Sequence, residues 1–343
     1  DARFTIVKID DSSDPAFMDA LPTAHGLIVR SATKVRGALL EKATELRVIG
    51  RAGVGVDNID LPASTERGVA VLNAPAGNTV SAAELTMALI LAMVRGVAKA
   101  DASMRSGTWG RSQFKGAELR GRTLGLIGAG RIGGEVASRC RAFGMRVIVF
   151  DPYLTRERAT ELKVEQVELD VLIETAEVFS LHVPLTDTTR DMIDASVIAR
   201  MKKGAFLVNV ARGGIVNEEA LAEALTSGHL AGAALDVYVN EPLENGSRLR
   251  DTPNLLLTPH LGASTSEAQE LVASEISEAV RAALADGDLS RALNAPAIGG
   301  ETMRVLGPLF SLGEGLGRLA SALALGAVRE VEIRYAGDTD DAL

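Results

Sequence analysis

The stretch "TLGLIGAGRIGGEVASRC" constrains this chain more than any other. An apolar run leads into glycines at Gly128, Gly130 and Gly133, and a run with helical spacing follows. G-x-G-x-x-G alone also serves plain tight turns. Here a strand precedes the glycines, a helix is predicted from about Arg131, and the next strand, "RVIVFD", ends in an acid. Glycines in these places let the backbone approach a pyrophosphate, and the helix N-terminus offers free N–H groups and a partial positive charge. Asp151 follows at the distance expected of an acid that accepts a ribose 2′-OH and repels a 2′-phosphate. The pattern predicts NAD in preference to NADP. The plainer alternative is that Asp151 only opens the turn "DPY".

Around this motif, short apolar strands alternate with helical stretches, which predicts parallel α/β sheets. The first block runs "FTIVKI", "GLIVRS", "LRVIG" and "VAVLN", with helices such as "VRGALLEKA" between. A single long helix is expected from about Ser81 to Ser106, followed by the loop "SGTWGRSQFKGAELRG". The second block carries six predicted strands, "TLGLIG", "RVIVFD", "VFSLHV", "AFLVNV", "AALDVY" and "NLLLT", the content of a complete dinucleotide-binding domain. A helix from about Ser266 to Asp286 presents Val272, Ile276 and Val280 on one face. Beyond the boundary "LNAP" at Leu293, one helix and one strand are expected, too little for an independent domain.

At 343 residues the chain exceeds the size at which one core keeps growing, so two or more domains are expected. A net charge of −9, with no block of like charge, gives no sign of a nucleic-acid or membrane surface, so an anionic ligand must be held by a local pocket. The longest apolar run, "LTMALILAMV" from Leu85, is far shorter than the roughly 20 residues of a membrane span, and it reads as a helix buried inside the protein or against a second subunit. The single cysteine, Cys140, excludes an internal disulfide and fits a reducing, cytoplasmic setting as a small buried side chain. No signal peptide is visible, and a chain opening at Asp1 directly into "FTIVKI" reads as trimmed at its start.

Ligands of an open parallel sheet bind beyond the carboxyl ends of its strands. Three ionisable residues leave those ends: Arg212 after "AFLVNV", Glu241 after "AALDVY" and His260 after "NLLLT". Singly they read as a surface salt bridge, a turn acid before Pro242 and a loop histidine. Together at one edge they suggest chemistry. Moving a hydride from a carbinol carbon to NAD requires the hydroxyl proton to leave as well, and a histidine accepts it near neutral pH. Glu241 would orient the ring and stabilise the imidazolium. Arg212 offers a planar fork that grips a carboxylate and polarises the reacting oxygen. His25 and His229 sit in turns beside glycines and read as solvated, whereas His182 in "LHVPLT" is the rival histidine and is expected to flank the cofactor.

The segments "RAGVGVDNID", "NAPAGNTVSAAELTMALILA", "GRTLGLIGAGRIGGEVA", "NVARGGIVNEEALAEAL", "GAALDVYVNEP" and "LTPHLGAST" resemble the D-isomer-specific 2-hydroxyacid dehydrogenases over nearly the whole chain, most closely the phosphoglycerate branch. The resemblance implies two doubly wound parallel-sheet α/β domains with the active site in the cleft between them. A discontinuous, flavodoxin-like substrate-binding domain takes residues 1–75 and 264–294, and a Rossmann NAD-binding domain takes 76–263. The start of a further, truncated domain takes 295–343. The resemblance makes His260 the acid/base, Glu241 its partner and Arg212 the substrate-orienting residue. It implies NAD contacts at Val54, Arg131, Ile132, Asp151, Val183, Val210, Ala211, Asp236 and Ala263, beside the three glycines. Backbone N–H groups of Gly53, Val54 and Gly55 would meet the substrate carboxylate.

The same likeness makes Arg30, Arg51 and Arg111 phosphate contacts, with Arg111 reaching across from a second subunit of a homodimer or higher homo-oligomer. By themselves these arginines, and Lys34 near them, read as surface charges, and Trp109 as interface packing. The implied reaction is oxidation of 3-phosphoglycerate by NAD to 3-phosphohydroxypyruvate, the first step of serine synthesis. Other members of the family, such as hydroxypyruvate or glyoxylate reductases, are the alternative, and an NAD-binding corepressor on the same fold is a second one. Relatives of this type carry one more strand and helix before "FTIVKI" and continue into an extra domain and a regulatory serine-binding domain, so the first sheet is expected to be a strand short and serine feedback is not expected of this piece.

Overall fold

A computed structural model describes residues 2–324. The chain separates into two compact units, one made of the residues up to Pro75 and from Val272 on, the other of Ala76–Leu271. In the first unit, α1 (Pro15–Ala20), β1 (Gly26–Val29), α2 (Ala38–Lys42), β2 (Val48–Arg51), α3 (Leu61–Glu66) and β3 (Ala70–Asn73) build a three-stranded parallel sheet of order β1-β2-β3. Asp14 and Asp60 start α1 and α3 by accepting the N–H groups of Ala16 and Ala63. Successive strand residues face opposite sides, so Ile49 and Val71 pack among Leu21, Leu40 and Ile59, while Val48 and Leu72 meet Val272, Ile276 and Val280.

The expected strand "FTIVKI" does not form. Phe4–Ile9 carries no regular structure, with Ile6 87% and Val7 67% exposed. A strand exists only through its ladder, and among the described residues β1 pairs with β2 alone. Apolar alternation without a partner is not enough.

The second unit opens with α4 (Thr79–Arg95) and α5 (Val97–Arg105) in place of the single helix expected from Ser81 to Ser106. Gly96 adopts φ +63°, closing α4 with a left-handed residue and bending the axis by 64°. No single helix among the described residues is long and apolar enough to cross a membrane. The chain continues through β4 (Thr123–Ile127), α6 (Arg131–Ala142), β5 (Arg146–Phe150), α7 (Arg156–Leu162), β6 (Glu165–Gln166), α8 (Leu169–Thr175), β7 (Val178–Leu181), α9 (Ala195–Arg200), β8 (Ala205–Asn209), α10 (Glu218–Thr226), β9 (Leu230–Leu235) and β10 (Leu255–Leu257). α11 (Ser266–Asp286) and α12 (Gly300–Leu323) complete the described elements, and the strand expected after α12 lies outside the described residues.

Strand order is β10-β9-β8-β7-β4-β5-β6, all parallel. The count is seven, not six, because the polar pair Glu165–Gln166 forms a short edge strand that no hydrophobic period announces. Both faces are covered: Leu124, Leu126, Val178 and Val208 pack with α4 and α6 residues such as Ile90 and Val136, whereas Phe179, Leu181 and Leu207 join Leu172, Ile173 and Leu221. Six strands end level, since register pairs Phe150 with Ile127, Ile127 with Leu181, Leu181 with Asn209, Asn209 with Leu235, and Leu235 with Leu257. Residues that leave this row share one rim.

Candidate active site

The rim carries the expected residues at matching offsets. Gly128, Asp151 and His182 each stand one position beyond the level row, Asp236 one beyond Leu235, and Arg212 and His260 three beyond Asn209 and Leu257. His260 Nδ1 lies 2.7 Å from Glu241 Oε2, a charge-assisted pair in which the carboxylate fixes one face of the imidazole and leaves Nε2 for other work. Burial pushes the Glu241 carboxyl up, but the His260 hydrogen bond, the Tyr238 N–H and the positive charges of His260 and Arg212 outweigh it. The net value lies below that of an ordinary glutamate. Arg212 is thus within electrostatic reach of the pair.

The loops are held by polar residues at the strand ends, of which Asn209 and Tyr238 were not expected at the site. Asn209, buried, donates from Nδ2 to Arg212 O at 2.8 Å while its Oδ1 accepts the Ala211 N–H, which closes the turn that presents Arg212. Asp236, expected as a cofactor contact, is fully buried. Its Oδ1 accepts from Thr258 Oγ1 and Leu261 N, and its Oδ2 from Gly262 N, so it organises the loop bearing His260. Tyr238 donates its hydroxyl toward Leu235 O and Thr258 O, and burial pushes that phenol up to about 12. The signal available in sequence was an Asn, an Asp and a Tyr at strand ends, where a buried polar side chain must be serving backbone groups.

The residues that would hold a dinucleotide fit it. Gly128 has φ +91°, and a Cβ there would sit 2.6 Å from His182 O; a Cβ on Gly133 would sit 2.2 Å from Gly128 O. Only glycine allows this close packing of strand turn and helix. At Gly130, by contrast, nothing lies within 4 Å of the Cβ position, and this open side faces outward at the N-cap of α6, whose first N–H groups have no intrahelical acceptors. Arg131 is exposed there and Ile132 half-buried. Asp151 follows β5, its Oδ2 accepting the Ala129 N–H at 2.8 Å and its Oδ1 the Tyr153 N–H at 2.9 Å. The acid therefore both opens the "DPY" turn and stands against the glycine loop. At the start of α4, Asn78 Oδ1 and Thr79 Oγ1 are buried without a partner in the protein. The next turn joins the His260 loop through Ser81 Oγ, which donates to Gly262 O at 3.0 Å. Val183, Val210, Ala211 and Ala263, all partly or fully buried, lie just past β7, past β8 and in the loop after His260.

His182 is no rival base. Its Nε2 lies 2.8 Å from Ser180 Oγ, and burial pushes its pKa down to about 4, so it is a neutral brace beneath Gly128. His25 is an exposed partner of Glu45 at 3.3 Å, and His229, expected to be solvated, is partly buried with Nε2 2.9 Å from Ile198 O. Cys140 is buried beside Met87, its thiol pushed up to about 12 by burial.

The candidate substrate residues of the first unit also gather at strand ends. Arg30 follows β1 and is exposed, as is Lys34; Arg51 ends β2, and its guanidinium donates to Ala52 O. Gly53 has φ +144°, and a Cβ there would fall on the Arg51 guanidinium at 1.5 Å. Val54 O accepts from Asn73 Nδ2 at 2.6 Å, so the end of β3 steadies the Gly53–Gly55 loop. Arg111 lies in an exposed turn after α5, near Trp109, which is 79% exposed; no hydrogen bond of the His260 network reaches it.

Residues 87–262 match the family described as D-isomer specific 2-hydroxyacid dehydrogenase, NAD binding domain. The chain belongs to this family. The matched segment of this 2-hydroxyacid dehydrogenase family member is its NAD-binding domain. D-3-phosphoglycerate dehydrogenase of Bacillus subtilis is 46% identical over 320 residues, 93% of this chain and 61% of the relative. D-3-phosphoglycerate dehydrogenase 2, chloroplastic, of Arabidopsis thaliana is 50% identical over 324 residues, 93% of this chain and 52% of the relative. The chain thus spans between half and two thirds of the length of these curated relatives. Among solved structures, D-lactate dehydrogenase from Aquifex aeolicus complexed with NAD and lactic acid is similar with a TM-score of 0.75 and 32% identity, covering 83% of this chain and 90% of that one.

Two expectations follow. Gly133→Ala should abolish measurable NAD binding in calorimetric titration and lower stability by about 1–3 kcal/mol, because the new methyl has no space against Gly128 O; unchanged affinity would contradict the assignment of this turn. For His182 the folded value lies below the ordinary 6.5, so the unfolded chain takes up the proton first. Stability is unaffected above pH 6.5 and falls as pH drops toward about 4. Melting temperatures across that window should decline less in His182→Gln than in the wild type.

Proposed function

We propose that the protein oxidises D-3-phosphoglycerate to 3-phosphohydroxypyruvate with NAD, the first step of L-serine biosynthesis. The observation that carries this reading is the His260–Glu241 pair at 2.7 Å on the rim that also bears Arg212 and the glycine turn, in a chain whose relatives bear that enzyme's name. NAD, when bound, supplies the hydride acceptor. The chain's own residues do the rest. Unprotonated at Nε2, His260 takes the proton of the 2-hydroxyl as the C2–H bond breaks and the carbonyl forms, and Glu241 stabilises the resulting imidazolium. Arg212 grips the substrate carboxylate and polarises the reacting oxygen. In the reverse direction the same imidazolium returns the proton to the 2-oxo group.

In this reading residues 1–75 and 264–294 form the substrate-binding domain and residues 76–263 bind NAD. The Gly53 N–H, expected to meet the carboxylate, is instead held by Arg51 O at 2.8 Å; the N–H groups of Val54 and Gly55 receive the carboxylate, and Arg30 and Arg51 meet the phosphate. Val54, Arg131, Ile132, Asp151, Val183, Val210, Ala211 and Ala263 contact NAD, with Asp236 acting on it through the His260 loop. The enzyme works in the cytoplasm as a homodimer or higher homo-oligomer. In support of association, α4 and α5 bound an open apolar groove of about 730 Å³ lined by Ala88, Leu91, Ala92, Val97, Ala100 and Met104. Arg111 follows that surface, and we propose that it serves the partner's phosphate site.

Initial rates of NAD reduction with D-3-phosphoglycerate, D-glycerate and D-lactate, and of NADH oxidation with hydroxypyruvate and glyoxylate, test the substrate. The phosphorylated acid should lead in kcat/KM, and a preference for the unphosphorylated acids overturns the assignment. His260→Ala and Glu241→Gln should each lower kcat by about a hundredfold or more while NAD still binds. Sedimentation should show an oligomer that Met104→Glu weakens; a monomeric wild type at micromolar concentration would contradict the interface.

A further inference from the structure

The two acids in the first turn of α10 are used differently. Glu219 is exposed and pairs with Arg248 at 2.8 Å. Glu218 turns inward, and its Oε1 accepts the Val239 N–H at 2.7 Å. If Glu218 served only to place negative charge at a helix start, an exposed carboxylate would do as well without the cost of burial. Burial in fact pushes the Glu218 carboxyl above the ordinary glutamate range, against the lowering effect of the Val239 N–H. The carboxylate is being spent on something.

What it holds is the turn that ends in Glu241. Two consecutive N–H groups of this turn are taken by carboxylates: Tyr238 N donates to Glu241 Oε1 at 3.1 Å, and Val239 N to Glu218 Oε1. The peptide between them is fixed from its other side, because a Cβ on Gly213 would lie 1.8 Å from Tyr238 O. The Glu241 carboxylate thus bridges the Tyr238 N–H and His260 Nδ1, and that N–H is one Cα away from the peptide that Glu218 and Gly213 hold in place. The connection from β8 contributes Arg212 and Gly213, and the first turn of α10 that follows contributes Glu218, so one stretch sets both the guanidinium and the base's partner.

We infer that Glu218 is a positioning residue: by accepting the Val239 N–H it anchors the turn from which Glu241 reaches His260. The inference rests on the reaction proposed above for that pair. Glu218→Ala removes the acceptor, Glu218→Gln keeps a carbonyl oxygen in its place without the charge, and Glu219→Ala removes the neighbouring first-turn acid as a control. With D-3-phosphoglycerate and NAD, Glu218→Ala should lose about ten- to a hundredfold in kcat, with KM for NAD within about a factor of two of the wild type. Glu218→Gln should recover most of the rate, and Glu219→Ala should match the wild type. Equal damage in Glu218→Gln and Glu218→Ala, equal damage in Glu219→Ala, or a wild-type kcat in Glu218→Ala would overturn the inference. Should Glu218→Ala not fold, Glu218→Asp, too short to reach Val239, carries the same expectation. Hydrogen exchange at the Val239 amide separates this anchor from the reaction: even if the wild type turned over none of the hydroxy acids, slow exchange in the wild type and Glu218→Gln with fast exchange in Glu218→Ala or Glu218→Asp would support the anchor, and equal exchange would refute it.

Discussion

Parallel pairing of β8, β9 and β10 in level register is the constraint on which the rest depends. Each strand enters from the same side and leaves at the same rim, so residues far apart in the chain emerge as neighbours. Glu241 and His260 are 19 positions apart, yet their side chains meet at 2.7 Å. The same row extends through β7, β4 and β5, which brings the glycine turn and Asp151 to the edge that carries His260. An antiparallel or slipped sheet would scatter these groups across both ends. The glycine turn and the His260–Glu241 pair share a rim because hydrogen-bond register puts them there.

Close backbone approach is the second demand of that rim, and it explains where glycine is required. At Gly128, Gly133 and Gly213 a side chain would fall within 2.6 Å of a carbonyl oxygen. The first two bring the strand turn, the helix start and the His182 carbonyl together; the third seats the Arg212 turn on the Tyr238 carbonyl. Gly130 has space and serves instead to leave the helix N-terminus uncovered. Gly96 has another purpose, a left-handed residue that breaks one expected helix into two.

Much of this was legible from residue order, and the failures have physical causes. Long apolar strands with helices between, the glycine turn and three ionisable residues at strand ends specify the Rossmann-type unit. What the sequence conceals is pairing. "FTIVKI" has the composition of a strand but no partner strand among the described residues, while Glu165–Gln166 has no strand-like composition yet finds an edge. The supporting contacts are equally hidden in residue order: the resemblance implies Asp236 as an NAD contact, and its hydrogen bonds to Thr258, Leu261 and Gly262 show that it also holds the His260 loop.

His260 itself shows why such support is needed. Its φ is +55°, a left-handed conformation that costs a non-glycine residue roughly 1–2 kcal/mol. The conformation persists because the surrounding bonds over-determine it: His260 N donates to Asp236 O, the Asp236 carboxylate takes the next two N–H groups and the Thr258 hydroxyl, and Tyr238 ties Thr258 O back to the end of β9. A loop free to relax would lose the left-handed turn first, and with it the direction in which the imidazole points. The buried aspartate and tyrosine therefore act on the imidazole without touching it, by holding the loop in the conformation that aims Nδ1 at Glu241.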